Sequence, residues 1–128
     1  MRAIFGVTAA LLVLFGAGFV LAEALVFGSF GVVLDAGGAL AANVAGSAVV
    51  ALGVLCWLES GSSGPDARRL ALVMVVFFSL KSVVTLAGLL DGVFSVWGWA
   101  ILGLDVPMVL VHASIVLGWS PQGRREVG

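Results

Sequence analysis

Four apolar runs, each long enough to cross a bilayer, constrain this chain more than any other feature. A hydrocarbon core about 30 Å thick, spanned at about 1.5 Å per residue, needs about 20 residues of helix. Runs of that kind occupy residues 4–27, 40–58, 70–90 and 93–119. Only GSFGVVLDAGGA, ESGSSGPDARR and the dipeptide DG separate them. Residues 1–128 therefore form a single transmembrane domain, and any activity must lie within the spans or at their mouths. Composition agrees, with 62% hydrophobic and 10% charged residues and a mean hydropathy of +1.24. Soluble domains carry about 25% charged residues, so this chain has too little polar surface to cover a water-soluble globule. The predicted fold is all-α: an integral-membrane, antiparallel four-helix bundle.

Charge placement predicts the orientation. The six basic residues are Arg2, Arg68, Arg69, Lys81, Arg124 and Arg125. All except Lys81 fall at the N-terminus, in the second connection or in the tail, while the first and third connections carry only Asp35 and Asp91. The positive-inside rule then places both termini in the cytoplasm of a multi-pass cell-membrane protein. Trp57 and Trp119 mark one interface and Trp97 and Trp99 the other. Arg2, the apolar run after it and Ala22-Glu23-Ala24 also resemble a secretory signal with a small-x-small site. The run is long for a signal and continues past that site, which favours a retained first span. Cleavage there would leave three spans and invert the orientation. Gly64-Pro65-Asp66 predicts the start of span three, and Asp91-Gly92 a tight reversal that makes spans three and four a hairpin.

The chemistry is concentrated in a few polar residues inside the spans. Counting outward from Asp91-Gly92, Lys81 and Asp105 each lie roughly 16–18 Å from the turn, near the bilayer midplane. Each charge alone costs about 2.5–3.5 kcal/mol at a helix centre. Span three holds 13 Leu, Val and Phe residues, enough for it to insert despite its lysine. Opposite charges at equal depth predict an intramembrane ion pair. His112 follows Asp105 by seven residues on the same face, and Pro107 between them predicts a kink. Thr85 continues the Lys81 face. Asn43 and Ser47 form a polar stripe on span two, and Glu23 lies toward the outer end of span one.

These residues leave several functions open. The ion pair can fix helix register, serve a proton relay, or meet a charge on another subunit. His112 can be a hydrogen-bonded core residue or a proton carrier, and Asn43 and Ser47 can be packing contacts or part of a path. Net charge is -1 and Cys56 is the lone cysteine, which argues against nucleic-acid binding, an internal disulfide and a metal or other cofactor site. No GxSxG, HExxH or Walker-type loop is present, so a non-enzymatic role is expected. The leading expectation is a small accessory subunit or helix-packing partner, in a homo-oligomer or with a larger membrane protein. The alternatives are a proton- or ion-coupled carrier using Lys81, Asp105 and His112, and a lipid-binding or lipid-modifying protein.

Asn43-x2-Gly46, the "LGVLCWL" segment leading into a Pro/Asp/Arg connection, and Trp97 and Trp99 before an acidic fourth span resemble small four-span proteins of the DoxX-like type. That resemblance covers most of the chain and implies the same four-span layout. It carries over no functional residue. The position of Glu23 near a span end and the strong charge bias set the chain apart from small multidrug resistance exporters.

Overall fold

The computed structural model describes residues 1–118, so Trp119, Arg124 and Arg125 lie outside the described residues. The chain runs through α1 (Arg2–Leu21), α2 (Glu23–Ser29), α3 (Ala36–Leu58), a 3-10 turn (Glu59–Gly61), α4 (Pro65–Leu90) and α5 (Trp97–Val116). No strand occurs among the described residues. The four long helices are long and apolar enough to cross a membrane.

Helix boundaries follow capping chemistry more closely than hydropathy. The Asp35 carboxylate accepts from the Gly38 N–H at 2.6 Å, so α3 begins at Ala36, ahead of the expected 40. Pro65 opens α4 behind Gly64, whose φ is +68°, where Gly64-Pro65-Asp66 predicts the start and ahead of the apolar run that begins at 70. Pro tolerates the first helical position because its missing N–H would have no partner there. Apolar runs mark where lipid-compatible side chains start, whereas helices start where the first N–H groups find acceptors.

Two expectations are corrected. Span one is not one helix over 4–27: Ala22 leaves helical geometry at φ -148° and ψ 40°, and α2 starts afresh at Glu23. The acidic side chain at this new N-terminus complements the positive end of the helix dipole. The short helix folds back on α1, bringing the Phe19 and Phe27 rings to 5.0 Å. The reversal between α4 and α5 is likewise longer than Asp91-Gly92, because α5 begins only at Trp97. Gly92 has φ +69°, and the Val93 N–H donates to Gly88 O at 2.8 Å. Phe94 then lies so close over Gly88 that a Cβ there would stand 2.6 Å from its ring. Ring packing on a glycine surface therefore replaces about one turn of helix.

Two helix pairs make up the bundle, α1 with α3 and α4 with α5. Glycine permits the first pairing. A Cβ on Gly16 would lie 2.7 Å from Gly46 O, and one on Gly53 would lie 3.1 Å from Ala9 O. Backbones approach this closely in membranes because dispersion contact, rather than water exclusion, holds helices together there. All four long helices contribute to one core, with Phe5, Cys56, Met74 and Ile115 as representative members. The Cys56 thiol points at the Met74 thioether, 3.5 Å away. At the opposite end, the Ser95 N–H donates to Phe30 O at 2.7 Å and ties the two connections together.

Candidate functional site

Lys81 lies nine residues before the end of α4 at Leu90, and Asp105 eight after the start of α5 at Trp97. The longer reversal adds non-helical residues between the helices without upsetting this symmetry. Lys81 Nζ stands 2.7 Å from Asp105 Oδ1. The two side chains are unequally placed: Asp105 is fully buried, while the Lys81 side chain retains 31% exposure. The ammonium also lies 5.7 Å from the centre of the Phe15 ring on α1, within the range of a cation–π attraction. The second carboxylate oxygen, Asp105 Oδ2, is buried and accepts from no group among the described residues.

Both residues line a partly enclosed cavity of about 230 Å³ between the two helix pairs. Its walls include Phe15 and Phe19 of α1, Val49 of α3, Phe77 and Phe78 of α4 and Leu104 of α5. Among the described residues, every lining side chain other than Lys81 and Asp105 is apolar. The result is a greasy chamber with one ammonium in its wall and a carboxylate behind that ammonium.

His112 sits two turns beyond Asp105 on α5 and is fully buried. Its Nδ1 lies 2.8 Å from Met108 O, so that nitrogen carries a proton and donates, since a carbonyl can only accept. Its Nε2 lies 3.2 Å from Thr8 Oγ1 on α1, and the Thr8 hydroxyl is also 2.9 Å from Ile4 O. With one ring proton, Nε2 accepts from the Thr8 hydroxyl. With two, it donates to Oγ1 and the hydroxyl turns to Ile4 O. Both arrangements leave every ring nitrogen paired. The Phe5 and Phe78 rings close the site, each 5.9 Å from the imidazole.

Thr8→Val is expected to lower stability by about 0.6–1.7 kcal/mol, the range for one interhelical hydrogen bond in a membrane. Thr8→Ser should lose less, because it retains the hydroxyl. Denaturant titration in bicelles measures both, and an unchanged Thr8→Val midpoint would show that the bond contributes no stability.

The remaining polar residues lie elsewhere. Thr85 is buried one turn beyond Lys81. Ser47 is exposed and donates to Asn43 O at 2.9 Å within its own helix. Neither Asn43 nor Ser47 lines the cavity, so the structure does not bring them to the ion pair. Glu23 is half-buried at the start of α2. Pro107 lies inside α5, which continues through it to Val116. Arg2, Arg68 and Arg69 are exposed, and Arg69 pairs with Asp66 at 3.3 Å.

Sequence reasoning missed Thr8 and the aromatic cavity wall. Thr8 carried a readable signal as the only polar side chain between Ile4 and Leu21. The aromatic wall carried none, because apolar residues that face a cavity and those that face lipid are the same residue types. No protein-family model matches the chain, and neither does any curated protein or solved structure.

Proposed function

We propose that this chain is a non-enzymatic component of the cell membrane that holds a lipophilic molecule drawn from the bilayer. In this reading it is an antiparallel four-span bundle with both termini cytoplasmic. Contacts at one end support the arrangement: Phe5 near the start of α1 meets His112 late in α5, and Cys56 late in α3 meets Met74 early in α4. The Arg68 guanidinium lies beside Gly118, where a Cβ would come within 2.9 Å of it, and so near the negative end of the α5 dipole. Arg2, Arg68 and Arg69 thus gather where the positive-inside rule expects the cytoplasm.

The observation that carries the binding reading is the cavity. Binding sites for small molecules are concave and mostly apolar, with few polar groups that set orientation. This chamber has that character. Its volume is about eight times the roughly 30 Å³ occupied by one water in the liquid. Apolar walls favour hydrocarbon over water, which supports a lipophile more than a hydrated solute. The carrier reading requires a polar path to Lys81, and the lining residues do not supply one.

Val49→Trp tests the proposal by filling the chamber from α3. Liposomes containing a photoreactive alkyl probe are irradiated, and the labelled peptides are mapped by mass spectrometry. Labelling of the Phe15 and Leu104 peptides is expected to fall about tenfold in the variant, the effect of a clash of about 1.4 kcal/mol. Equal labelling of wild type and variant would sink the reading.

A further inference from the structure

We infer that the cavity selects a neutral lipid alcohol, whose hydroxyl oxygen accepts from Lys81 Nζ and whose O–H donates a hydrogen bond to Asp105 Oδ2. This assignment rests on the lipophile-binding reading above and adds the head-group chemistry.

Lys81 and Asp105 are in contact at 2.7 Å and together contribute no net charge to the apolar chamber. A charged head group entering it would leave one unit of charge uncompensated in a medium that solvates charge poorly. A cation would first meet the ammonium, since Asp105 is fully buried and Lys81 is the partly exposed partner. An anion would compete with a carboxylate that already holds the ammonium. A neutral head avoids both costs.

Hydrogen-bond capacity then narrows the choice. An ammonium has three donors and no acceptor. One donor is engaged by Asp105 Oδ1, and the Phe15 ring face lies 5.7 Å away. Donor capacity therefore remains for an oxygen in the cavity. Asp105 Oδ2 belongs to the same carboxylate, is buried, and accepts from no group among the described residues. Buried polar atoms in this condition call for a partner. Ethers, esters and ketones can satisfy Lys81 but have no proton for Oδ2. A hydroxyl carries both the acceptor that Lys81 needs and the proton that Oδ2 lacks. Its hydrocarbon portion would lie along the rings of Phe15, Phe19 and Phe77.

The experiment uses the full chain in liposomes with a diazirine-bearing decanol, competed by four unlabelled amphiphiles of equal chain length. These are decanol, its methyl ether, decane-1-sulfonate and decyltrimethylammonium. Decanol is expected to compete roughly tenfold better than either charged amphiphile and severalfold better than the ether, in line with hydrogen bonds to charged groups. In Lys81→Met/Asp105→Leu the cavity peptides should still label, with the ratios among competitors collapsed toward one. Equal competition by all four in wild type would overturn the assignment, as would ratios that survive in the double variant. Equal competition by decanol and its ether would overturn the choice of a hydroxyl. Cavity peptides that label no more than lipid-facing ones would remove the lipophile reading itself. The wild-type competition series depends on no variant folding.

Discussion

Asp105→Leu, made alone, is expected to destabilise the protein by about 3–5 kcal/mol, and Lys81→Met in the same chain to restore most of that loss. The cause is the asymmetry of a buried pair. Asp105 is fully buried and its Oδ1 holds the Lys81 ammonium at 2.7 Å. Removing the carboxylate strands a positive charge that costs about 2.5–3.5 kcal/mol at a helix centre even before packing is considered. Removing both charges replaces an ion pair with hydrocarbon of similar volume, which is often neutral or stabilising. Asp105→Asn should lie between, because the amide keeps an acceptor oxygen for Lys81 while giving up the charge. Unfolding free energies for the single and double variants close a double-mutant cycle. Were the double variant no more stable than Asp105→Leu, the two residues would not be energetically coupled. Labelling by the alkyl probe, measured on the same proteins, separates the pair's contribution to stability from its contribution to binding.

The second large effect is expected at the α1–α3 contact. Gly16→Ala adds one methyl group, yet that Cβ would lie 2.7 Å from Gly46 O and 2.8 Å from Val50 N. Both neighbours are backbone atoms, so no side-chain rotation relieves the overlap. The helices must move apart and lose dispersion contact along their length. A loss of about 3 kcal/mol is expected, at the upper end for overpacking. Gly6→Ala supplies the control within the same helix, because nothing among the described residues lies within 4 Å of a Cβ there. That change should stabilise by up to about 1 kcal/mol through helix propensity. If both alanines shift the unfolding midpoint in the same direction and by similar amounts, close backbone approach is not what joins α1 to α3.

How much of the site could be read from residues alone varies with the range of the physics involved. Depth is nearly a one-dimensional quantity in a membrane protein, since each helical residue advances about 1.5 Å along the axis. Counting from the Asp91-Gly92 turn therefore put Lys81 and Asp105 at one level without any knowledge of packing. The same count could not reveal that Asp105 is enclosed and Lys81 partly open, because that depends on how each helix is rotated. Asn43 and Ser47 read as a polar stripe on span two, yet neither lines the cavity. Thr8 was visible as a lone hydroxyl in an apolar run, but its partner His112 lies 104 positions away. The break at Ala22 carried no local warning. Neither Gly nor Pro occupies that position, and the stacking of Phe19 on Phe27 emerges only once α2 has folded back.

By itself the sequence determined that this is an all-helical chain with four helices suited to a membrane, and which few polar side chains those helices carry. The physical reason is that hydrocarbon solvent imposes its requirement on each segment independently, by length and by apolarity. The tertiary structure alone decided which faces meet. Gly16 lies against Gly46, Thr8 reaches His112, and the two helix pairs leave an apolar chamber beside Lys81. Those outcomes depend on helix rotation and close packing, and the bilayer is as apolar as the side chains it competes with. Hydrophobicity therefore selects the spans but is nearly silent on how they pair. Small residues that permit contact and a handful of polar groups that require partners make that choice.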